Sequence, residues 1–413
     1  MKNRPAITLL LTANFISGIA QGISMIAVPL YFAKTQQSNW FAAGYMLVTL
    51  VTLFWAPYAG ALVDKYNRKN IFIVLMSFMG LALTALAATS YISGINNWLA
   101  FAAFGLTFWN YSLHYICFYA FMQEITEKEH YGKIASILEV QGQLASALAG
   151  AGAALLLDPT TATWLGINVW ELPHVFMLDA STYFLGLIFI LLMRFVPIAE
   201  RTVESGNVFK RLSVGLSYLK SEPYVFLFGI ISQAVFITVL IHVFELSPIY
   251  VKNHINPPNG TESSIFAASE LLYSLGAVTA GLAIQFIFRR TTFLAAIIIL
   301  SFITLLEYGS LMFSNSVWVF WVMSFLLGIT NAGIRVIRVS YLFKVVPNQV
   351  MGRANSIFGL GNTLIRILLL VIFALPFFHE DNNIIYTFAV MIGFLALCIV
   401  LLMLYYGRMV LKK

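Results

Sequence analysis

Twelve long apolar runs constrain this chain of 413 residues more than any other feature. About 20 successive apolar residues cross the hydrocarbon core of a bilayer as a helix, which satisfies its own backbone there. The runs occupy 7–33, 41–63, 71–91, 97–121, 134–156 and 173–196, then 223–250, 263–288, 292–313, 316–343, 354–378 and 384–407. The pattern predicts an all-α membrane protein of twelve transmembrane helices. It consists of an N-terminal six-helix half (1–196), a cytoplasmic linker (197–222, the widest polar gap) and a C-terminal six-helix half (223–413). The first run, Ile7–Ala33, is too long for a signal-peptide core and reads as a retained span.

Composition agrees. Hydrophobic residues are 60% and charged residues 10% of the chain, with a mean hydropathy of +0.86. Soluble domains carry roughly a quarter charged residues. The net charge of +7 does not point to nucleic acid, because the basic residues lie in the turns rather than on one tail or face. Cys117 and Cys398 both sit inside apolar runs, so no disulfide framework is indicated. Asn259-Gly260-Thr261 matches the glycosylation acceptor pattern.

Orientation follows from Lys and Arg. On one side lie Lys2 and Arg4; Lys65, Arg68 and Lys69; Lys128 and Lys133; Arg194, Arg201, Lys210, Arg211 and Lys220; Arg289 and Arg290; Lys344 and Arg353; Arg408, Lys412 and Lys413. The opposite loops carry only Lys34 and Lys252. This asymmetry predicts cytoplasmic termini, as expected for a bacterial inner-membrane protein. The remaining basic residues, Arg335, Arg338 and Arg366, fall inside spans.

Two internal echoes point to duplication. The turn Gly60-Ala61-Leu62-Val63-Asp64-Lys65-Tyr66-Asn67-Arg68-Lys69 returns 221 positions later, with Gly281 for Gly60, Gln285 for Asp64, and Arg289 and Arg290 for Arg68 and Lys69. Tyr131-Gly132-Lys133-Ile134-Ala135-Ser136-Ile137 matches Met351-Gly352-Arg353-Ala354-Asn355-Ser356-Ile357 at an offset of 220. Gly60 suits close helix approach, and Asp64 places a carboxylate at a helix end. Asp64 is thus a candidate gating latch, with Arg68 and Lys69 holding the turn on the positive side.

The turn Gly60, Leu62, Asp64, Arg68, Lys69 between the second and third of twelve spans resembles the major facilitator superfamily, with Asn67 where a glycine is usual. Met177-Leu178-Asp179-Ala180-Ser181-Thr182-Tyr183-Phe184 and Gly215-Leu216-Ser217-Tyr218-Leu219-Lys220-Ser221-Glu222-Pro223 resemble the branch containing macrolide-efflux proteins and the enterobactin exporter. The resemblance implies two pseudo-symmetric halves around a central cavity, alternating access, and gating by Gly60, Asp64, Arg68 and Lys69. The span-5 glycine-proline motif of antiporters is incomplete: Gly142, Ser146, Gly150 and Gly152 are present without a proline.

Arg335 and Arg338 are three apart and share a helix face. An Arg at a helix centre costs roughly 2.5–3.5 kcal/mol in insertion experiments, so these two and Arg366 require water or carboxylates. The fork of Arg suits a solute carboxylate. Glu139 and Glu307 are the alternative partners and the proton-carrier candidates, since burial and a neighbouring guanidinium act oppositely on a carboxylate. Glu245, Asp179 and Glu270 are the other acidic residues in spans, the last two read as nearer the ends. Gln21, Asn110, Tyr111 and His114 are candidate substrate-lining residues, with Asn14 and Gln233 as further polar positions.

The leading expectation is a proton-coupled secondary exporter of an anionic or amphipathic organic solute, such as a siderophore-like polycarboxylate. It would act as a monomer in contact with membrane lipid. A broad drug efflux pump, or a lipid or solute transporter working in the uptake direction, is the alternative. The sequence carries no His-Glu-x-x-His, Gly-x-Ser-x-Gly or nucleotide-binding loop. An enzyme is therefore not expected, and no cofactor, metal or nucleic-acid partner is implied.

Overall fold

Side-chain caps fix where the apolar runs begin as helices. Asn67 accepts from the backbone N–H groups of Lys69 and Asn70, Asn96 from Leu99, and Thr292 from Ala295. Asn67, which stands where the family motif has glycine, is thus the N-cap of the third helix. The computed structural model describes residues 2–35, 37–157, 166, 168–198, 208–255, 262–373, 375–379 and 383–404. The Asn259-Gly260-Thr261 tripeptide lies outside them, as do Arg201, Arg408, Lys412, Lys413 and the side chains of Glu245 and Gln285.

In chain order the helices are α1 (Arg4–Lys34), α2 (Ser38–Lys65), α3 (Arg68–Ser93), α4 (Asn97–Ile125), α5 (Tyr131–Leu157), α6 (Leu172–Leu192) and α7 (Val208–Ser221). They continue as α8 (Pro223–Ile231), α9 (Ala234–Ile241), α10 (Glu262–Ile287), α11 (Phe293–Met312), α12 (Val317–Val345), α13 (Met351–Phe373) and α14 (Ile385–Leu404). Ten stretches among the described residues are long and apolar enough to cross a membrane. The polar-centred α4 and the shorter apolar part of α10, Ala268–Ile284, complete a set compatible with twelve.

The described chain forms two compact units. Unit 1 comprises Met1–Glu127, Leu144–Gly215 and Pro347–Ile357; unit 2 comprises Lys128–Gln143, Leu216–Val346 and Phe358–Lys413. Helices α5 and α13 therefore each contribute to both. Within unit 1, α6 packs on α1 and α3, while α4 packs on α1, α2 and α3. Within unit 2, α14 packs on α9 and α11, while α12 packs on α9, α10 and α11. The same helix-packing scheme appears twice, as the sequence echoes require.

One expectation needs correction. The seventh run is not one uninterrupted α-helix. At Ser232-Gln233 it breaks: the Gln233 N–H turns to Ile230 O at 3.1 Å, and its side-chain amide donates to the Gly229 carbonyl at 3.0 Å. The same amide reaches Phe358 O at 2.9 Å, and Asn362 donates to Gln233 Oε1 at 3.1 Å. Gln233, expected as polar lining, is thereby occupied in holding a helix break to α13. Beyond α9 the run widens into two π-turns, His242–Leu246 and Val251–Ile255. The gap at 197–222 includes the amphipathic helix α7.

Close approach in unit 2 depends on glycine. A Cβ on Gly328 would collide with the Tyr273 carbonyl and lie 2.9 Å from Ala277 N; one on Gly276 would collide with the Phe325 carbonyl. Small residues let these backbones touch, and Ala277, Ala280 and Ala332 fill the remaining seam. Gly328→Val should therefore destabilise the protein by about 1–3 kcal/mol, the usual cost of overpacking. Gly359→Ala, at a position with nothing within 4 Å, should be neutral or stabilising by up to about 1 kcal/mol. Thermal unfolding in detergent checks both.

Candidate functional site

In unit 1 the last turn of α2 carries Asp64, which is 3% exposed. Its Oδ1 accepts from Gly352 N at 3.1 Å; its Oδ2 accepts from Arg353 N at 3.1 Å and Arg353 Nε at 2.9 Å. Gly352 and Arg353 open α13, so the carboxylate receives N–H groups that no helical carbonyl serves. One turn earlier, a Cβ on Gly60 would meet the Ser356 hydroxyl and lie 2.6 Å from Gly352 O, so only glycine fits.

Arg68, a gating candidate read as holding the turn on the positive side, is buried, at 1% exposure. Its Nη2 stands 3.6 Å from Asp64 Oδ1 and donates to Asn348 O at 2.9 Å. Its Nη1 donates to Ala120 O at 2.7 Å, Glu124 Oε2 at 2.9 Å and Asn348 Oδ1 at 2.7 Å. The burial follows from these acceptors, which replace water around the guanidinium. Lys69 donates to the Leu191 and Met193 carbonyls at the end of α6, at 3.2 and 2.7 Å. Sequence reasoning missed Arg353, Asn348 and Glu124 as partners. The available signal was the second echo, which places Arg353 at the head of its helix.

The other candidate residues of unit 1 tie its helices together. His114 Nε2 lies 2.7 Å from Asn14 Oδ1, Asn110 donates to Tyr183 Oη at 2.9 Å, and Gln21 Nε2 approaches Thr107 O at 3.4 Å. Tyr111 is 49% exposed and packs on Tyr115, with ring centroids 4.3 Å apart.

The arginines lie in unit 2. Arg335 Nη2 donates to Glu139 Oε1 at 2.5 Å, and Gln143 Nε2 donates to the same oxygen at 2.9 Å. The Arg335 side chain is 28% exposed, and its guanidinium covers Phe236 at 5.4 Å, just past the break in the seventh run. Arg338 lies over the Phe358 ring at 6.0 Å. Arg366 shares a face of α13 with Asn362, one turn earlier. It is half-buried, and among the described residues no hydrogen bond or ion pair holds it. Glu307, expected as a second acidic partner for the arginines, instead accepts from Thr330 Oγ1 at 3.3 Å and forms no ion pair among the described residues.

Membrane-length helices packed by one scheme in two units are a build common among membrane transporters, and the family match identifies a secondary transporter, not an enzyme. The sequence model of the Major Facilitator Superfamily matches residues 10–263 and 245–412, and the chain belongs to that family. No curated protein matches it in sequence. Solved structures share the fold. A bacterial homologue of the iron transporter ferroportin, in an outward-facing state, has a TM-score of 0.71 at 17% identity, covering 98% of this chain and 100% of its own. The human organic anion transporter MFSD10 (TETRAN) scores 0.62 at 15% identity, covering 97% and 100%. The transporter FucP in the outward conformation scores 0.71 at 12% identity, covering 95% and 98%.

Removing the Asp64 carboxylate takes the anion from the buried Arg353 Nε and one of two carboxylates from Arg68. Asp64→Ala should destabilise the protein by about 3–5 kcal/mol, the range for a broken buried pair. Lys69→Ala, which removes a partly exposed donor, should cost under about 1 kcal/mol. Denaturation of the purified variants measures the difference.

Proposed function

We propose that the chain is a proton-coupled exporter of an anionic or amphipathic organic solute, with a siderophore-like polycarboxylate as the fitting class. The observation that carries this reading is Arg366, a guanidinium inside a span with no described anion to meet it. An arginine at that depth costs several kcal/mol unless it faces water or a negative group. A solute carboxylate supplies one, and Arg335 and Arg338 add two further guanidinium groups in the same unit. Glu139 and Glu307 are the proton carriers of this reading. The Asp64 latch, with Gly60, Arg68 and Lys69, holds α2 to the head of α13 in one phase of the cycle and releases it in another. Export, a bacterial inner membrane and cytoplasmic termini rest on the branch resemblance of 177–184 and 215–223 and on the one-sided placement of Lys and Arg.

Uptake is the second reading, and the Arg335–Glu139 pair favours it. A solute carboxylate that takes Arg335 leaves Glu139 without its cation, so Glu139 gains a proton as the anion arrives. An anion and a proton bound together move inward down a proton gradient.

Labelled citrate in oriented vesicles tests both readings. Export predicts accumulation in inverted vesicles under an inside-acid gradient; uptake predicts accumulation only in right-side-out vesicles under an inside-alkaline gradient. Arg366→Gln should reduce citrate transport about tenfold or more, since a charge-assisted hydrogen bond contributes about 1.5–3 kcal/mol. Unchanged transport by that variant excludes the arginine site.

A further inference from the structure

Unit 1 contains a carboxylate that the latch does not use. Asp179, seven residues after the start of α6, lies about 10 Å along its axis and is 0% exposed, well inside the span rather than near its end. Ser24 of α1 donates to its Oδ2 at 2.8 Å, while its Oδ1 has no hydrogen-bond partner among the described residues. Asn110 Oδ1, on the side chain bonded to Tyr183 one turn further along α6, is unpartnered as well. Two orphaned oxygens in one buried cluster point to an absent hydrogen or donor.

Among the described residues no cation answers this carboxylate. α1 carries no charged side chain or histidine between Arg4 and Lys34, and α3 carries none between Lys69 and Ser93. On α4, His114 is held by Asn14, and Glu124 is held by Arg68. On α6 the other titratable groups are Tyr183 and His174, the latter packed against Tyr91 and Trp170. Among the described residues Asp179 takes part in no ion pair. An ionised carboxylate there would be an isolated charge without water, an arrangement proteins avoid by neutralising the group.

We propose that Asp179 is a proton-binding site of the transport cycle, loaded in this conformation and emptied when α1 and α6 part at the Ser24 contact and admit water. The only bond made or broken is the O–H on its carboxyl group, and the proton enters from and leaves to solvent. The inference rests on the proton-coupled reading above and deepens it. It adds to Glu139 and Glu307 a third proton carrier, in the other unit, whose proton is exchanged by helix separation rather than by a solute taking Arg335. Proton and solute are then free to move in opposite directions, as export requires.

Infrared difference spectroscopy on the reconstituted full chain, without solute, tests the site. The expected result is a protonated-carboxyl band at neutral pH that is absent in Asp179→Asn and shifted in Ser24→Ala. An identical band in wild type and Asp179→Asn overturns the proposal, whatever the direction of transport. With labelled citrate as probe, Asp179→Asn should lose gradient-driven accumulation at least tenfold while keeping citrate counterflow; unaltered gradient-driven accumulation also overturns it. Failure of wild type to move citrate would count against the solute readings above and not against the site, since the band is read without solute.

Discussion

A guanidinium taken out of bulk water must be met by an anion or by carbonyl oxygens, and this requirement organises both units. Arg68 is met by Asp64, Glu124, Asn348 and a helix carbonyl, and Arg353 by Asp64. These groups are fully enclosed, and protein oxygens take the place of water at the Arg68 Nη atoms and the Arg353 Nε. Arg335 is met by Glu139 alone among described carboxylates and keeps partial exposure. Arg366 has no described anion at all. The series runs from a closed structural cluster to an open charge, and the open charge is where the proposed anionic solute would bind.

The duplicated sequence acquires a specific geometry here. Gly60, from the first echo, packs on Gly352 and Ser356, from the second echo of the other half. Gly281, the partner of Gly60 in the repeat, has Ser136 O 3.5 Å from the place of its Cβ, and Ser136 corresponds to Ser356. Each echo therefore meets the opposite copy of the other. The exchange explains why 128–143 groups with unit 2 and 347–357 with unit 1. The first-half turn adds the Asp64 carboxylate to this contact, whereas its repeat has Gln285 at that position. The two contacts are thus chemically unequal.

Much of the fold was legible in the chain because lipid imposes a coarse rule. Continuous apolarity marked the spans, and the same rule made Arg335, Arg338 and Arg366 conspicuous. The helix break at Ser232-Gln233 was not legible, since the run stays apolar on both sides and its repair comes from a Gln side chain reaching α13. The partners of Asp64 were hidden by distance: Arg353 lies 289 residues away, and only folding brings it near. Asn67 read as a departure from a glycine motif, although as an N-cap it is an ordinary choice. Asp179 read as nearer a span end although the run begins at 173 and α6 at Leu172; the start was legible, and the residue's depth and full burial were not.

The central claim is that the arginines of unit 2 receive a solute carboxylate. An anomalous-scattering map of crystals grown with an iodinated aromatic dicarboxylate tests it most directly. The account predicts one carboxylate of the ligand within about 3 Å of the Arg366 guanidinium. A map with the ligand bound elsewhere, and Arg366 paired to a carboxylate of the protein itself, would contradict it.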